Sequence, residues 1–143
     1  MELVRICLVG VFLLWEGICD LRKKKISVKC AVVFGIIGLF LDFFELKECW
    51  PSLLGGLLIG IVILVLSKIT DEKIGYGDGY VLTVTGILLG FRWNLTLLFM
   101  SLWLAAIVSV VLLFLKKAKK KTELPFVSFM MPGYILLLAM MMR

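Results

Sequence analysis

Histidine is absent from this 143-residue chain, and its four cysteines, Cys7, Cys19, Cys30 and Cys49, form no C-x-x-C pair. A structural zinc site draws its ligands from closely spaced Cys and His, so neither a metal site nor any other cofactor is expected. The four cysteines read as membrane-span or interface thiols. A convincing internal repeat, which would point to a transporter, is also missing. So is an A-x-A-like cleavage site after the apolar stretch 3–19, where the positive cluster Arg22-Lys23-Lys24-Lys25 follows the stretch instead of preceding it. A cleaved signal peptide has the reverse order, and a retained first span is the expectation.

Apolar sequence is what the chain has in abundance. It is 62% apolar, against roughly 45–50% in ordinary soluble domains, and its mean hydropathy is +1.11. Runs long enough to cross a hydrocarbon core recur. The reading is an integral, all-α membrane protein of six transmembrane helices, spanning about 3–19, 28–45, 50–68, 79–91, 95–115 and 124–142. The fourth span is short for a full crossing. One membrane-embedded domain, 1–143, uses the whole length and leaves no room for a separate soluble domain. The net charge of +6 comes from short basic clusters between apolar runs, as membrane flanks have, and nucleic acid is not expected as a partner.

Lys and Arg set the orientation. Arg22, Lys23, Lys24, Lys25 and Lys29 follow span one, Lys68 and Lys73 follow span three, and Lys116, Lys117, Lys119, Lys120 and Lys121 follow span five. The other side has only Arg5, Lys47, Arg92 and Arg143. The three basic connections face the cytoplasm of a multi-pass plasma-membrane protein, with both termini outside. Gly56 with Gly60, and Gly86 with Gly90, have the small-xxx-small spacing that lets helices approach closely in lipid.

Two carboxylates stand at the cytoplasmic ends of spans. Asp20 closes the first, and Asp78, in Ile74-Gly75-Tyr76-Gly77-Asp78-Gly79-Tyr80, opens the fourth. Ionisable groups at such depth are costly and mark functional sites. Two carboxyls sharing a site do not both ionise readily; one keeps its proton. The ionised member can take a proton from water while the neutral one hydrogen-bonds a substrate carbonyl, which suffices to hydrolyse a peptide bond. Gly75, Gly77 and Gly79 would let an extended substrate lie close to the main chain. Plainer uses exist for both residues: Asp20 as a boundary charge beside lysines, Asp78 as a helix N-cap. Glu16, one turn before Asp20, shares its face. Asp71 and Glu72 read as solvated loop charges, and Asp42, Glu45 and Glu48 as an outer interface with Lys47 and Trp50.

Three segments, in order, resemble the type IV prepilin peptidases, the GxGD aspartic proteases of bacterial membranes. They are Asp20-Leu21-Arg22-Lys23-Lys24-Lys25-Ile26, Gly75-Tyr76-Gly77-Asp78, and Leu124-Pro125-Phe126-Val127-Ser128-Phe129. The last is similar to the Pro-Phe-x-x-Phe segment that opens the final span in many members. The resemblance covers nearly the whole chain. It implies an aspartic endopeptidase with Asp20 and Asp78 catalytic, supported by Gly75, Gly77, Gly79, Pro125 and Phe126, with no cofactor. It also implies prepilin or pseudopilin substrates of type IV pili or related secretion systems, each with a basic leader followed by a hydrophobic helix in the bilayer. Ser27 stands where that family usually has proline, and Gly79-Tyr80 replaces an aliphatic-Lys pair. The cytoplasmic insertion with paired cysteines, found in larger members that also N-methylate their product, does not occur, so a peptidase-only form is expected. A preflagellin-type or presenilin-like GxGD protease, and a non-enzymatic proton or cation transporter component, stand as alternatives.

Overall fold

A computed structural model describes residues 2–23, 26–45, 50–70, 75–115 and 126–141. Five helical elements follow in order: α1 (Glu2–Lys23), α2 (Val28–Glu45), α3 (Trp50–Ile69), α4 (Tyr76–Phe114) and α5 (Phe126–Met141). No strand occurs among the described residues. A helix satisfies its own backbone hydrogen bonds, which apolar segments without water around them require.

The burial pattern is that of a membrane protein. Large apolar side chains point outward: Leu54, Leu58, Ile61 and Val65 on α3, Phe99, Trp103, Ile107 and Phe114 on α4. The same helices turn small or polar residues inward, among them Gly56, Gly60 and Ser67 on α3 and Thr85, Asn94 and Ser101 on α4. Apolar surface of this extent is rare on a water-soluble monomer. Both α3 and α4 are long and apolar enough to cross a membrane.

The 39-residue α4 would reach about 58 Å if straight, at 1.5 Å per residue, roughly twice a hydrocarbon core. It is not straight. At Gly90 the backbone takes φ 75° and ψ 177°, a conformation essentially closed to residues with a Cβ. Beyond it, Asn94 Nδ2 donates to the Leu82 carbonyl at 3.0 Å, and Thr85 Oγ1 donates to Asn94 Oδ1 at 2.8 Å. Twelve residues of straight helix would separate Leu82 from Asn94 by about 18 Å, so the chain folds back on itself. The expected fourth and fifth spans are thus two arms, 76–89 and 91–114, of one broken helix. Residues 92–94, expected as a connection, are helical. Gly90 supplies the turn and also packs closely on Ser52 of α3.

Other small residues form close seams too. Gly56 and Gly86 face each other so closely that a Cβ on either would meet the other's carbonyl, and Gly60 sits directly against Thr83. Gly133 of α5 packs against Ser101. Small residues at these points let backbones touch and pack by dispersion. The core is built around α4, with Val9, Phe12 and Leu13 of α1, Val81, Leu82 and Leu97 of α4, and Val127, Met130 and Leu137 of α5. Tyr134 Oη donates to the Ile6 carbonyl at 2.8 Å, tying α5 to α1.

Candidate active site

Asp20 lies in the last full turn of α1 and is 8% exposed. Asp78 lies 58 residues on, half-buried in the first turn of α4. The fold brings the two carboxyls close enough for the charge of Asp20 to act on Asp78. The starts of α4 and α5 and the ends of α1 and α3 gather at this end of the bundle. Gly79 packs on Leu64 of α3, and Ser128 Oγ of α5 donates to the Gly17 carbonyl of α1 at 3.3 Å.

Asp78 is not the N-cap of its helix. Gly75 is, in extended conformation (φ −61°, ψ 129°) and without a side-chain hydrogen bond. Tyr76, Gly77 and Asp78 form the first turn, and the Asp78 N–H donates to the Gly75 carbonyl at 3.1 Å. The carboxyl folds back over Gly75, 3.4 Å from where a Cβ there would stand. A carboxylate in a first helical turn is favoured by the unpaired N–H groups and the positive end of the helix dipole.

Gly77 and Gly79 are covered by side chains of the chain itself. Both sit in regular helix, while Gly75 is the extended N-cap. The space over Gly77 is filled by Ile26, whose Cγ1 would lie 2.8 Å from a Cβ at that position, and the space over Gly79 is filled by Leu64. Phe126 opens α5 and packs on the core. Pro125 lies outside the described residues, as do Lys24, Lys25, Asp71, Glu72, Lys73, Lys47, Glu48, Cys49 and Lys116–Lys121. Cys7, Cys19 and Cys30 are free thiols.

Glu16 carries more than its place in the sequence announces. It is completely buried, it lies close enough to Asp20 for their charges to interact, and its Oε2 accepts the Ser27 N–H at 3.0 Å. Its spacing from Asp20 signalled a shared face, but nothing local pointed to Ser27, eleven residues away. Asp42, expected among outer interface charges, pairs with Arg5 at 2.7 Å near the other end of α1. Among the described residues no three His, Cys, Asp or Glu side chains come together as metal ligands.

Chemically, the aspartate end offers two carboxyls of unlike exposure at the mouth of an apolar bundle, one nearly buried and one half-buried. It is suited to exchanging a proton with water and with a polarised carbonyl. A family model described as the type IV leader peptidase family matches residues 7–116, over three quarters of the chain, and both aspartates lie inside the match. Neither a curated protein nor a solved structure matches.

Proposed function

The chain belongs to the type IV leader peptidase family, and on that premise we propose that it is an aspartic endopeptidase whose working pair is Asp20 and Asp78. The observation that carries this reading is the meeting of two carboxyls from distant helices at one end of the bundle, inside the matched region. In the proposed reaction the ionised carboxylate takes a proton from water as its oxygen attacks the scissile carbonyl carbon. The neutral carboxyl hydrogen-bonds, then protonates, the carbonyl oxygen. Collapse of the tetrahedral intermediate breaks the C–N bond, and the proton held by the first carboxyl leaves on the amine. The second carboxyl takes back a hydroxyl proton as the C–N bond breaks, so each carboxyl returns to its own starting state and the products are a carboxylic acid and an amine.

The proposed substrate is a prepilin or pseudopilin-like chain with a basic leader ahead of an apolar helix. The outward apolar faces of α3 and α4 suit an enzyme whose substrate's helix shares its bilayer. The proposal includes six membrane crossings, with α4 contributing two arms, and the aspartate end toward the cytoplasm. The Lys/Arg asymmetry supports that orientation. A single thiol introduced at Lys120 should react with impermeant reagents only after the cells are opened, and labelling in intact cells would reverse the orientation.

The deciding experiment is cleavage of a synthetic substrate, a Lys/Arg-rich leader, glycine and an apolar helix, by the protein purified in lipid. Cleavage should survive EDTA. It should fall at least about a hundredfold in Asp20→Asn and in Asp78→Asn, the lower range for a general acid–base contribution. Parent-like cleavage in either variant removes that residue from the reaction.

A further inference from the structure

A fully buried carboxylate beside a second carboxylate is unfavourable unless something local compensates for the lost water. Glu16 and Asp20 are such neighbours, one turn apart on α1 and both buried. The compensation Glu16 has is specific. Ser27 is the residue whose carbonyl accepts the first bond of α2, from the Ala31 N–H at 3.0 Å. Its own N–H therefore lies outside the helix ladder. Glu16 Oε2 takes that N–H at 3.0 Å, while Oε1 has no hydrogen-bond partner among the described residues. The bond pins residues 26 and 27 against α1.

Ile26, the next residue back, is the side chain that fills the space over Gly77, and Gly77 precedes Asp78. A continuous path of contacts and covalent bonds thus runs from Asp20 through one turn of α1 to Glu16, Ser27, Ile26, Gly77 and Asp78. Neither aspartate needs to touch the other's helix for their separation to be set.

We propose that Glu16 is a positioning residue: by holding the Ser27 N–H it seats Ile26 on Gly77 and so fixes the separation of Asp20 and Asp78. This rests on the aspartate pair proposed above. The role belongs to the hydrogen bond, not to the charge. A glutamine at 16 can accept the same N–H through its carbonyl oxygen; an alanine cannot.

The test uses the full chain in lipid nanodiscs, with the synthetic leader-bearing substrate and with hydrogen exchange at the Ser27 amide. Glu16→Ala should lower kcat roughly thirty- to a hundredfold, as displacement of a reacting group by about 1 Å does, with KM within about twofold of the parent. The Ser27 amide should exchange at least about tenfold faster in that variant, since the bond to Glu16 that protects it is lost. Glu16→Gln should keep kcat within about threefold and the parent exchange rate, because the hydrogen bond survives. A parent-like kcat in Glu16→Ala overturns the proposal. So does an equal loss in Glu16→Gln, which would make the charge the active feature, or an unchanged Ser27 exchange rate. If Glu16→Ala does not fold, Ile26→Ala, which leaves Glu16 in place, must show the same drop in kcat at constant KM, and a parent-like kcat there overturns the proposal equally. Parent-like cleavage in Asp20→Asn and Asp78→Asn would sink the aspartate pair instead, and the Ser27 exchange rate would still judge the latch.

Discussion

The two ends of the bundle treat polar groups in opposite ways. At the Gly90 end, unlike partners meet. Arg5 pairs with Asp42. Asn94, with no exposed surface, donates to the Leu82 carbonyl, reaches the Gly56 carbonyl at 3.4 Å and accepts from Thr85. At the other end like meets like: Glu16, Asp20 and Asp78 gather in one neighbourhood, and one oxygen of the fully buried Glu16 has no hydrogen-bond partner among the described residues. The first arrangement stabilises a fold. The second opposes it and persists only because the surrounding helices hold it, which is the usual condition of a site kept for chemistry.

Substitution of the aspartates is the strongest way to break this contrast. Asp20→Asn and Asp78→Asn, expected to lose at least about a hundredfold in cleavage, should leave the thermal unfolding temperature unchanged or raised, because each removes a carboxylate from a crowded site. A drop of several degrees in either would mean that the pair stabilises the fold, and the contrast between the ends would fail.

Next in size is Gly77→Val. The branched side chain would run into Ile26, and cleavage should fall sharply while membrane insertion is retained. The double variant Gly77→Val with Ile26→Ala moves the lost volume from one partner to the other and should cleave faster than Gly77→Val alone. If the double variant is as inactive as the single, position 77 is kept clear for substrate rather than for Ile26.

That distinction shows what could be read from the residues and what could not. The apolar runs placed helices close to where they are, because a run of that length in lipid has little choice but to be helical. The basic connections put Asp20 and Asp78 at the same end, and the fold brings them together. Gly77, by contrast, has no side chain to announce its partner, and the choice between Ile26 and a substrate strand is a matter of packing between segments 51 residues apart. Gly90 was hidden differently. Its spacing from Gly86 announces packing, which both glycines provide against α3, and only its positive φ marks it as a turn. Asn94 sat among residues expected to be a connection, where a polar side chain calls for no explanation. In the structure it is the bond that closes the hairpin.

Asn94→Ala sharpens the contrast from the Gly90 end. It removes three hydrogen bonds at once, to Leu82, Gly56 and Thr85, at about 1–3 kcal/mol in total for the lost bonds, with the lower part of that range expected among membrane helices. Thermal or denaturant unfolding in lipid should show the loss. Cleavage per folded molecule should stay within about twofold, since additivity holds for distant, independent sites. A large drop in kcat at preserved stability would join the two ends functionally and undo their separation.

The smallest effect is expected of Tyr134→Phe. The hydroxyl donates to the Ile6 carbonyl at 2.8 Å, and the ring is almost fully buried among α1 and α5 residues. Phenylalanine keeps the ring and its packing. Ile6 lies within α1, so its carbonyl still has the N–H one helical turn on as a partner, and no orphan acceptor is created. The cost should therefore stay near the low end for one hydrogen bond, about 0.5–1 kcal/mol, with cleavage unchanged. Measured beside Asn94→Ala, it separates a bond that merely adds to packing from one that closes a turn. Should Tyr134→Phe cost as much as Asn94→Ala, the buried polar groups away from the aspartates would be contributing uniformly, and the special place given to Asn94 in the hairpin would be wrong.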